Sequence, residues 1–286
     1  LESIICLGTP ACKVGRLLDT YKRYRVLYID DEGRKRKGFC KVEKRSHPEE
    51  YEERYDLSVD TFLKSVKGEV TFIVCGASLV SSMSLRLLEP IATRGASIRI
   101  LYIRPQVELL SEAKRLQERL IYNVFQQYAR SGAFSMLYIV DNEHIADFLP
   151  DVSIMEHYEK INEVISSTYH MINVFDNSKS VVDTFSSPRP TSRISTFFVF
   201  DPADEILEKW FFSIDKIAET RYYYGIPDKT LKEEKALYRS LLKEMKKKLE
   251  IFPKVSYGIY ETAYESKIGY GIAYTNLVQE AEMANS

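Results

Sequence analysis

The sequence predicts an α/β fold in which a Rossmann-like, mostly parallel sheet is joined by a long central helix to a smaller α+β carboxyl-terminal part. Three observations predict it. Short apolar runs that stop at polar residues recur through the first half, separated by helix-like segments, which is the rhythm of parallel strands with crossover helices. One run, Met136 to Val140, leads into apolar residues at helical spacing, Ile154, Tyr158, Ile161, Ile165, Thr168 and Ile172, enough for about five turns of amphipathic helix. Beyond residue 196 the pattern changes to a strand, helices and alternating strands. The divisions read as residues 1–153 for the sheet, 154–175 for the central helix, 176–195 for a Ser/Pro/Asn-rich loop and 196–286 for the carboxyl-terminal domain.

A chain of 286 residues can bury one large core or two modest ones. Its net charge of −1 gives no pull toward nucleic acid, and no such partner is expected. Cys6, Cys12, Cys40 and Cys75 have no C-x-x-C spacing and read as free thiols of a reducing compartment. No basic-then-apolar leader is present and no apolar run approaches the roughly 18 residues of a membrane span. A cytoplasmic protein without membrane insertion is therefore expected. His47, His144, His157 and His170 show no metal spacing, and no H-E-x-x-H, G-x-S-x-G or Walker loop occurs.

Taken in order, Ser3 to Leu7 is the first strand. Gly8-Thr9-Pro10-Ala11-Cys12-Lys13-Val14-Gly15 follows as a tight loop and helix start, a geometry whose free N–H groups and dipole attract phosphate. A plain strand-to-helix connection is the alternative reading. Arg25 to Ile29 is the second strand, closed by Asp30-Asp31-Glu32-Gly33, either a solvated turn or a carboxylate that approaches a magnesium ion through water. Arg34 to Tyr55, with its RKRK cluster, has mixed charge and reads as a loop excursion. Asp60 to Val66 ends a helix, and Val70 to Val74 is a buried strand. Gly76-Ala77-Ser78-Leu79-Val80-Ser81-Ser82 then turns into a helix to Ala92, stopped by Gly95 and followed by a strand from Ile98 to Ile103. Val107 to Gly132 holds a long charged helix whose apolar positions include Leu109, Leu116, Leu120, Val124 and Tyr128.

Asn142 stands at the end of the Met136–Val140 strand. Ser153, with Glu156 three residues on, is an adequate N-cap for the central helix. Tyr158 and Asn162, four residues apart, share a helix face and can touch one ligand. Strand, then VDNEHI, then a long helix with Tyr-x-x-x-Asn near its start resembles the tubulin family and its bacterial relative FtsZ, and the order of the other elements is similar along nearly the whole chain. The resemblance implies a bound guanine nucleotide, GTP or GDP, with Mg2+ as a possible companion. Asn142 and Asn162 would pair with the base edge, and Tyr158 would stack on its face. Gly8, Thr9 and Lys13 stand where the family has its first glycine-rich loop. Gly76, Ala77, Ser78, Ser81 and Ser82 stand where it has GGGTGSG, of which only Gly76 and one serine remain. Glu108 falls where FtsZ places a ribose-contacting glutamate, while Glu112 replaces that family's arginine. FDNSKSVVDTF occupies the place of the family's N-x-D-x-x-D/E-like catalytic loop. Lined up without a gap, its acidic positions become Val182 and Phe185, leaving Asp183 as a displaced catalytic candidate.

In the last third, Thr196 to Phe200 reads as a strand, Ala203 to Thr220 and Leu231 to Leu249 as helices, and the end as a hairpin. Val255, Tyr257 and Ile259 alternate on one arm and Ile268, Tyr270, Ile272 and Tyr274 on the other. This segment resembles the closing hairpin of the FtsZ carboxyl domain. Tyr222 to Tyr224 read as core or interface in preference to base-stacking residues. The leading expectation is a guanine-nucleotide-binding protein that forms head-to-tail protofilaments with itself or related filament subunits and hydrolyses GTP slowly or not at all. The alternatives are a degenerate, non-enzymatic structural or regulatory subunit, and an α/β enzyme using the same crevice for a small metabolite.

Overall fold

A computed structural model describes residues 1–33, 36–202 and 207–280. The apolar runs of the first half form strands because they are buried on both faces, where β-branched side chains pack well. In chain order the elements are β1 (Glu2–Leu7), α1 (Thr9–Leu18), β2 (Tyr24–Asp30), β3 (Phe39–Lys41), α2 (Pro48–Glu53), α3 (Ser58–Leu63) and β4 (Glu69–Cys75). A 3-10 turn at Leu79–Met83 leads into α4 (Ser84–Thr93) and β5 (Ser97–Arg104), and a second at Val107–Leu109 precedes α5 (Glu112–Ser131). Then come β6 (Met136–Asp141), α6 (Asn142–Asp147), α7 (His157–Asp176), β7 (Val182–Asp183), β8 (Ile194–Phe200), β9 (Lys209–Trp210), β10 (Glu219–Pro227), α8 (Asp228–Glu233), α9 (Leu237–Ile251), β11 (Val255–Thr262) and β12 (Ile268–Thr275).

All the strands among the described residues join one sheet in the order β3-β2-β1-β4-β5-β6-β8-β12-β10-β11-β7, with β9 added beside β8. From β3 to β8 every pairing is parallel. Beyond β8 the sheet is mixed, since β12 is antiparallel to both β8 and β10 while β10 and β11 run parallel. Helices cover both faces. Ile4, Cys6, Ile73 and Leu101 point to the side of α1 and α7, where Ile161, Ile165 and Ile172 meet them. Ile5, Leu7, Phe72 and Val74 point to the side of α3, α4 and α5. Along β8, Ile194 and Phe198 share a face, which places α9, packed on Phe198 through its own cluster, on the α4–α5 side. Each fully buried large side chain contributes about 1.5–3 kcal/mol through its removal from water.

Several expectations are corrected. The excursion from Arg34 to Tyr55 contains β3 and α2, with Tyr51 buried as the anchor of α2; Arg34 and Lys35 of the RKRK cluster lie outside the described residues. The helix read over Ala203–Thr220 is replaced by β9 and the start of β10, residues 203–206 lying outside the described residues. Three consecutive tyrosines suit a strand, and Tyr222, Tyr223 and Tyr224 are fully buried in it. That strand also separates the arms of the expected hairpin, so β11 and β12 flank β10 and do not pair with each other. The helix at 231–249 is broken between α8 and α9. The central helix starts at His157, not 154, leaving Ile154 exposed. The helix expected from Val107 starts at Glu112, with Leu109 exposed in the 3-10 turn before it; on α5 Tyr122, Phe125 and Ala129 are buried, while Leu116, Leu120 and Tyr128 are exposed. The expected loop at 176–195 includes the edge strand β7.

Candidate functional site

Parallel strands deliver their following loops to one edge of the sheet, and a crevice forms where the chain reverses direction across it. Here that reversal lies between β1 and β4, since β2 and β3 extend the sheet one way and β5 and β6 the other. Gly8 follows β1 with φ 84° and ψ 160°, a region that side chains beyond glycine rarely enter. Its N–H donates to the Ile29 carbonyl at 2.9 Å. A Cβ at Gly8 would lie 2.6 Å from Ser78 Oγ, so the first loop and the loop after β4 are in direct contact. The first turn of α1 has no side-chain cap, and its leading N–H groups have no acceptor within the helix. Gly15 lets α1 press on β1, because a Cβ there would sit 2.3 Å from Cys6 Sγ. Lys13 is exposed at the start of the second turn of α1.

The serines of the second loop are used unequally. Ser81 is buried and its hydroxyl donates to the Ser78 and Gly76 carbonyls at 2.6 and 3.1 Å. Ser82 donates to the Leu79 carbonyl at 3.0 Å, and Gln117 Nε2 clamps the Ser78 carbonyl at 2.7 Å. Both hydroxyls thus close their own turn, and Ser78 is the serine that lies against Gly8. Gly76 and Ala77 turn the chain away from β4, with the Tyr102 hydroxyl filling the space where a Gly76 Cβ would stand, at 1.9 Å.

Thr9 donates to the Asp30 carboxylate at 2.7 Å, tying the first loop to the end of β2. Burial raises the Asp30 carboxyl above its ordinary range. Asp31 accepts the Tyr51 hydroxyl and Glu32 pairs with Lys44 at 2.8 Å. This acidic triplet is therefore directed three ways, and among the described residues no group of three or more His, Cys, Asp or Glu is placed to hold a metal ion. The residues present do not fit a magnesium site built by the protein alone.

On the other side of the crevice, Asp141 ends β6 and caps α6 by accepting the Glu143 N–H at 2.8 Å. Asn142 is the first residue of α6, and its Oδ1 is buried without a hydrogen-bond partner. Asp141 lies 3.5 Å from Arg104 Nη1, and Arg104 Nε lies 3.6 Å from Glu118, all three buried. Burial raises the carboxyl groups of both Asp141 and Glu118, with Arg104 pulling the other way. Tyr158, half-exposed at the start of α7, donates its hydroxyl to Gln106 Oε1 at 3.4 Å, and Asn162 stands one turn further on. Glu108 is exposed in the 3-10 turn after Gln106, and Arg115 folds back onto its carbonyl. The structure thus gathers Gly8, Thr9, Ala77 and Ser78 at one end of the crevice and Asn142, Tyr158 and Gln106 around α6 and α7.

Asp183 lies elsewhere. It is paired with Gly258 on the edge strand β7, beyond the far end of α7, a helix about 30 Å long. Its carboxylate accepts the Ser180 hydroxyl and the Phe185 N–H.

Sequence reasoning missed Arg104, Glu118 and Gln106. The signal for Arg104 was present: a charge completing the buried run ILYIR needs a buried partner. Glu118 carried no signal, being one of several acids on a charged helix.

This architecture is the fold of the tubulin/FtsZ superfamily. The TubZ of Bacillus thuringiensis serovar israelensis in its GTPγS-form protofilament superposes with a TM-score of 0.71 at 13% identity, covering 96% of this chain and 86% of that one. CetZ from Methanosaeta thermophila gives 0.70 at 11% identity over 95% and 85%, and an empty FtsZ dimer from M. jannaschii gives 0.65 at 9% over 96% and 87%. No protein-family model and no curated protein matches the sequence. Among the described residues no helix is long and apolar enough to cross a membrane.

Proposed function

We propose that this chain binds a guanine nucleotide across the carboxyl ends of β1, β2, β4, β5 and β6, and that copies associate head to tail through that face. The observation that carries the reading is the contact of Gly8 with Ser78 at the β1/β4 reversal, beside the uncapped start of α1. Backbone N–H groups and a helix dipole there suit phosphate. The buried, unpartnered Asn142 Oδ1 supports the base assignment, because guanine presents N–H donors to such an acceptor where adenine presents a ring acceptor. Tyr158 would stack on the base and Asn162 would bond its edge. In this reading residues 1–153 form the nucleotide-binding part, α7 the connection, and residues 196–286 the carboxyl-terminal part. The similar TubZ structures are of GTPγS-form and GDP-form protofilaments, which supports both halves of the proposal.

Hydrolysis is slow or absent in this reading, since the one acid near the expected catalytic position already accepts two hydrogen bonds within its own turn. That same observation favours a second reading, a non-hydrolysing structural or regulatory subunit of filaments. Chromatography of nucleotide released from denatured protein tests the first claim. Guanine nucleotide at near-stoichiometric yield is expected, and protein that releases none and binds none when offered it would sink the proposal. Light scattering across a concentration series with GTP separates the two readings: a critical concentration supports filaments, and persistent nucleotide-bound monomers support the regulatory subunit.

A further inference from the structure

The outward stripe of α5 borders a cavity of about 410 Å³ that the nucleotide reading does not use. Ala113, Leu116, Leu120 and Val124 form its α5 wall, Leu85 and Phe125 its floor. Leu116 and Leu120 are 59% and 58% exposed, too much apolar surface on adjacent turns of one helix for a face meant for water. The wall from Ala113 to Val124 is about 16 Å long at 1.5 Å per residue, the length of a three-turn helix. Across the opening stand Glu49 and Glu52 of α2, both exposed, giving that rim a negative charge.

The same chain carries the complement. On α9, Leu237, Leu241 and Met245 face the sheet. Tyr238 and Leu249, 47% and 54% exposed, lie on one edge with Leu242 between them, again spanning about 16 Å. Next to this edge, at helical spacing, come the exposed Arg239, Lys243 and Lys246. An apolar strip flanked by cations thus matches, in length and in charge, an apolar groove flanked by acids. Helices α5 and α9 lie on the same side of the sheet, so a twofold axis can seat each copy's α9 in the other's groove at once.

We propose that two copies of this chain pair face to face, each inserting the Tyr238–Leu249 edge of α9 into the partner's groove between α2 and α5. The groove's lining includes Ser81 and Ser82 behind the serine turn but none of Gly8, Ser78, Asn142 or Tyr158, so the pairing goes beyond the nucleotide reading. Sedimentation and light scattering of the full chain, with and without GTP, test it. A nucleotide-independent species of about 66 kDa, twice the 33.2 kDa chain, is expected. Leu120→Glu, a change at an exposed position that leaves the fold intact, should raise the dimer Kd about thirtyfold or more by placing a charge at the centre of the contact. Lys243→Glu with Lys246→Glu should raise it about tenfold, and adding Glu49→Lys with Glu52→Lys should return it to within about threefold of the parent. A chain monomeric at all concentrations overturns the proposal. So does a dimer indifferent to Leu120→Glu, or charge reversals whose effects add instead of cancelling.

Discussion

Replacing Gly8 by alanine tests the point at which fold and crevice meet. Two separate costs are built into the position. The backbone at φ 84° and ψ 160° costs a side-chain-bearing residue about 1–3 kcal/mol. The new methyl would also stand 2.6 Å from Ser78 Oγ and 3.0 Å from Val80 Cγ1, an overpacking that typically costs about 1–3 kcal/mol more. Gly8→Ala should therefore lose about 2–6 kcal/mol, read as a lower urea midpoint at unchanged slope. Ser78→Ala removes the closest atom but not the backbone strain. The double variant should accordingly recover about 0.5–1.5 kcal/mol relative to the sum of the singles. Nucleotide retained through purification should fall in the single variant, because relief of the clash separates the two loops. A Gly8→Ala protein within about 0.5 kcal/mol of the parent, or a double variant whose losses simply add, would refute the argument that these loops are in contact.

Tyr158→Ala should weaken guanine nucleotide binding by about 0.5–1.5 kcal/mol in a fluorescence titration, with little effect on stability since Tyr158 is half-exposed. Asn142→Ala should cost binding about 1–3 kcal/mol by leaving base donors unpaired, and equal affinity in both variants and the parent would displace the pocket. Asp183→Ala should leave any measured GTP turnover unchanged; turnover abolished by it would restore Asp183 as the catalytic base. Burial, and secondarily Arg23, lower the pKa of His170, which stacks on Tyr21 at 3.5 Å. The folded chain then binds fewer protons than the unfolded chain below the ordinary value of about 6.5, so this histidine's contribution is lost as pH falls through that value. His170→Phe keeps the stack and removes the titration. Parent and variant denaturation curves should hold a constant offset above about pH 7 and converge or cross below about 6, and parallel curves throughout would deny the shift.

The parallel half of the sheet was legible because strands buried on both faces leave an unbroken apolar run, as in Ile98–Ile103, and few alternatives fit such a run. The Tyr-x-x-x-Asn and VDNEHI segments were picked out through resemblance; VDNEHI runs from the end of β6 into α6, and Tyr158 and Asn162 stand on the first turns of α7. What failed was partner choice. The alternation in Val255–Ile259 and Ile268–Tyr274 identifies two strands but carries no information about which neighbour each takes, and β10 entered between them. On α5 the helix was legible but its buried face was not, because aromatic Tyr122 and Phe125 take the core side while Leu116 and Leu120 are exposed. The use of the serine turn was not legible for a different reason: a hydroxyl that bonds its own backbone, as those of Ser81 and Ser82 do, looks the same in sequence as one offered to a ligand.

Along β4 and β5 seven residue pairs hold neighbouring strands together, whereas β6 and β8 share only Leu137 with Ile194 and Tyr138 with Ser195. Two hydroxyls extend this seam, Ser195 to the Leu137 carbonyl at 3.2 Å and Thr196 to the Ile139 carbonyl at 2.8 Å. A side-chain hydroxyl can follow its acceptor through a rotation that would break a backbone ladder. The sheet is thus two stiff plates riveted along a short joint, with α7 lying as a rod from the crevice to the far edge strand. A rotation of one part of the sheet against the other at this seam is therefore expected to break few ladder hydrogen bonds.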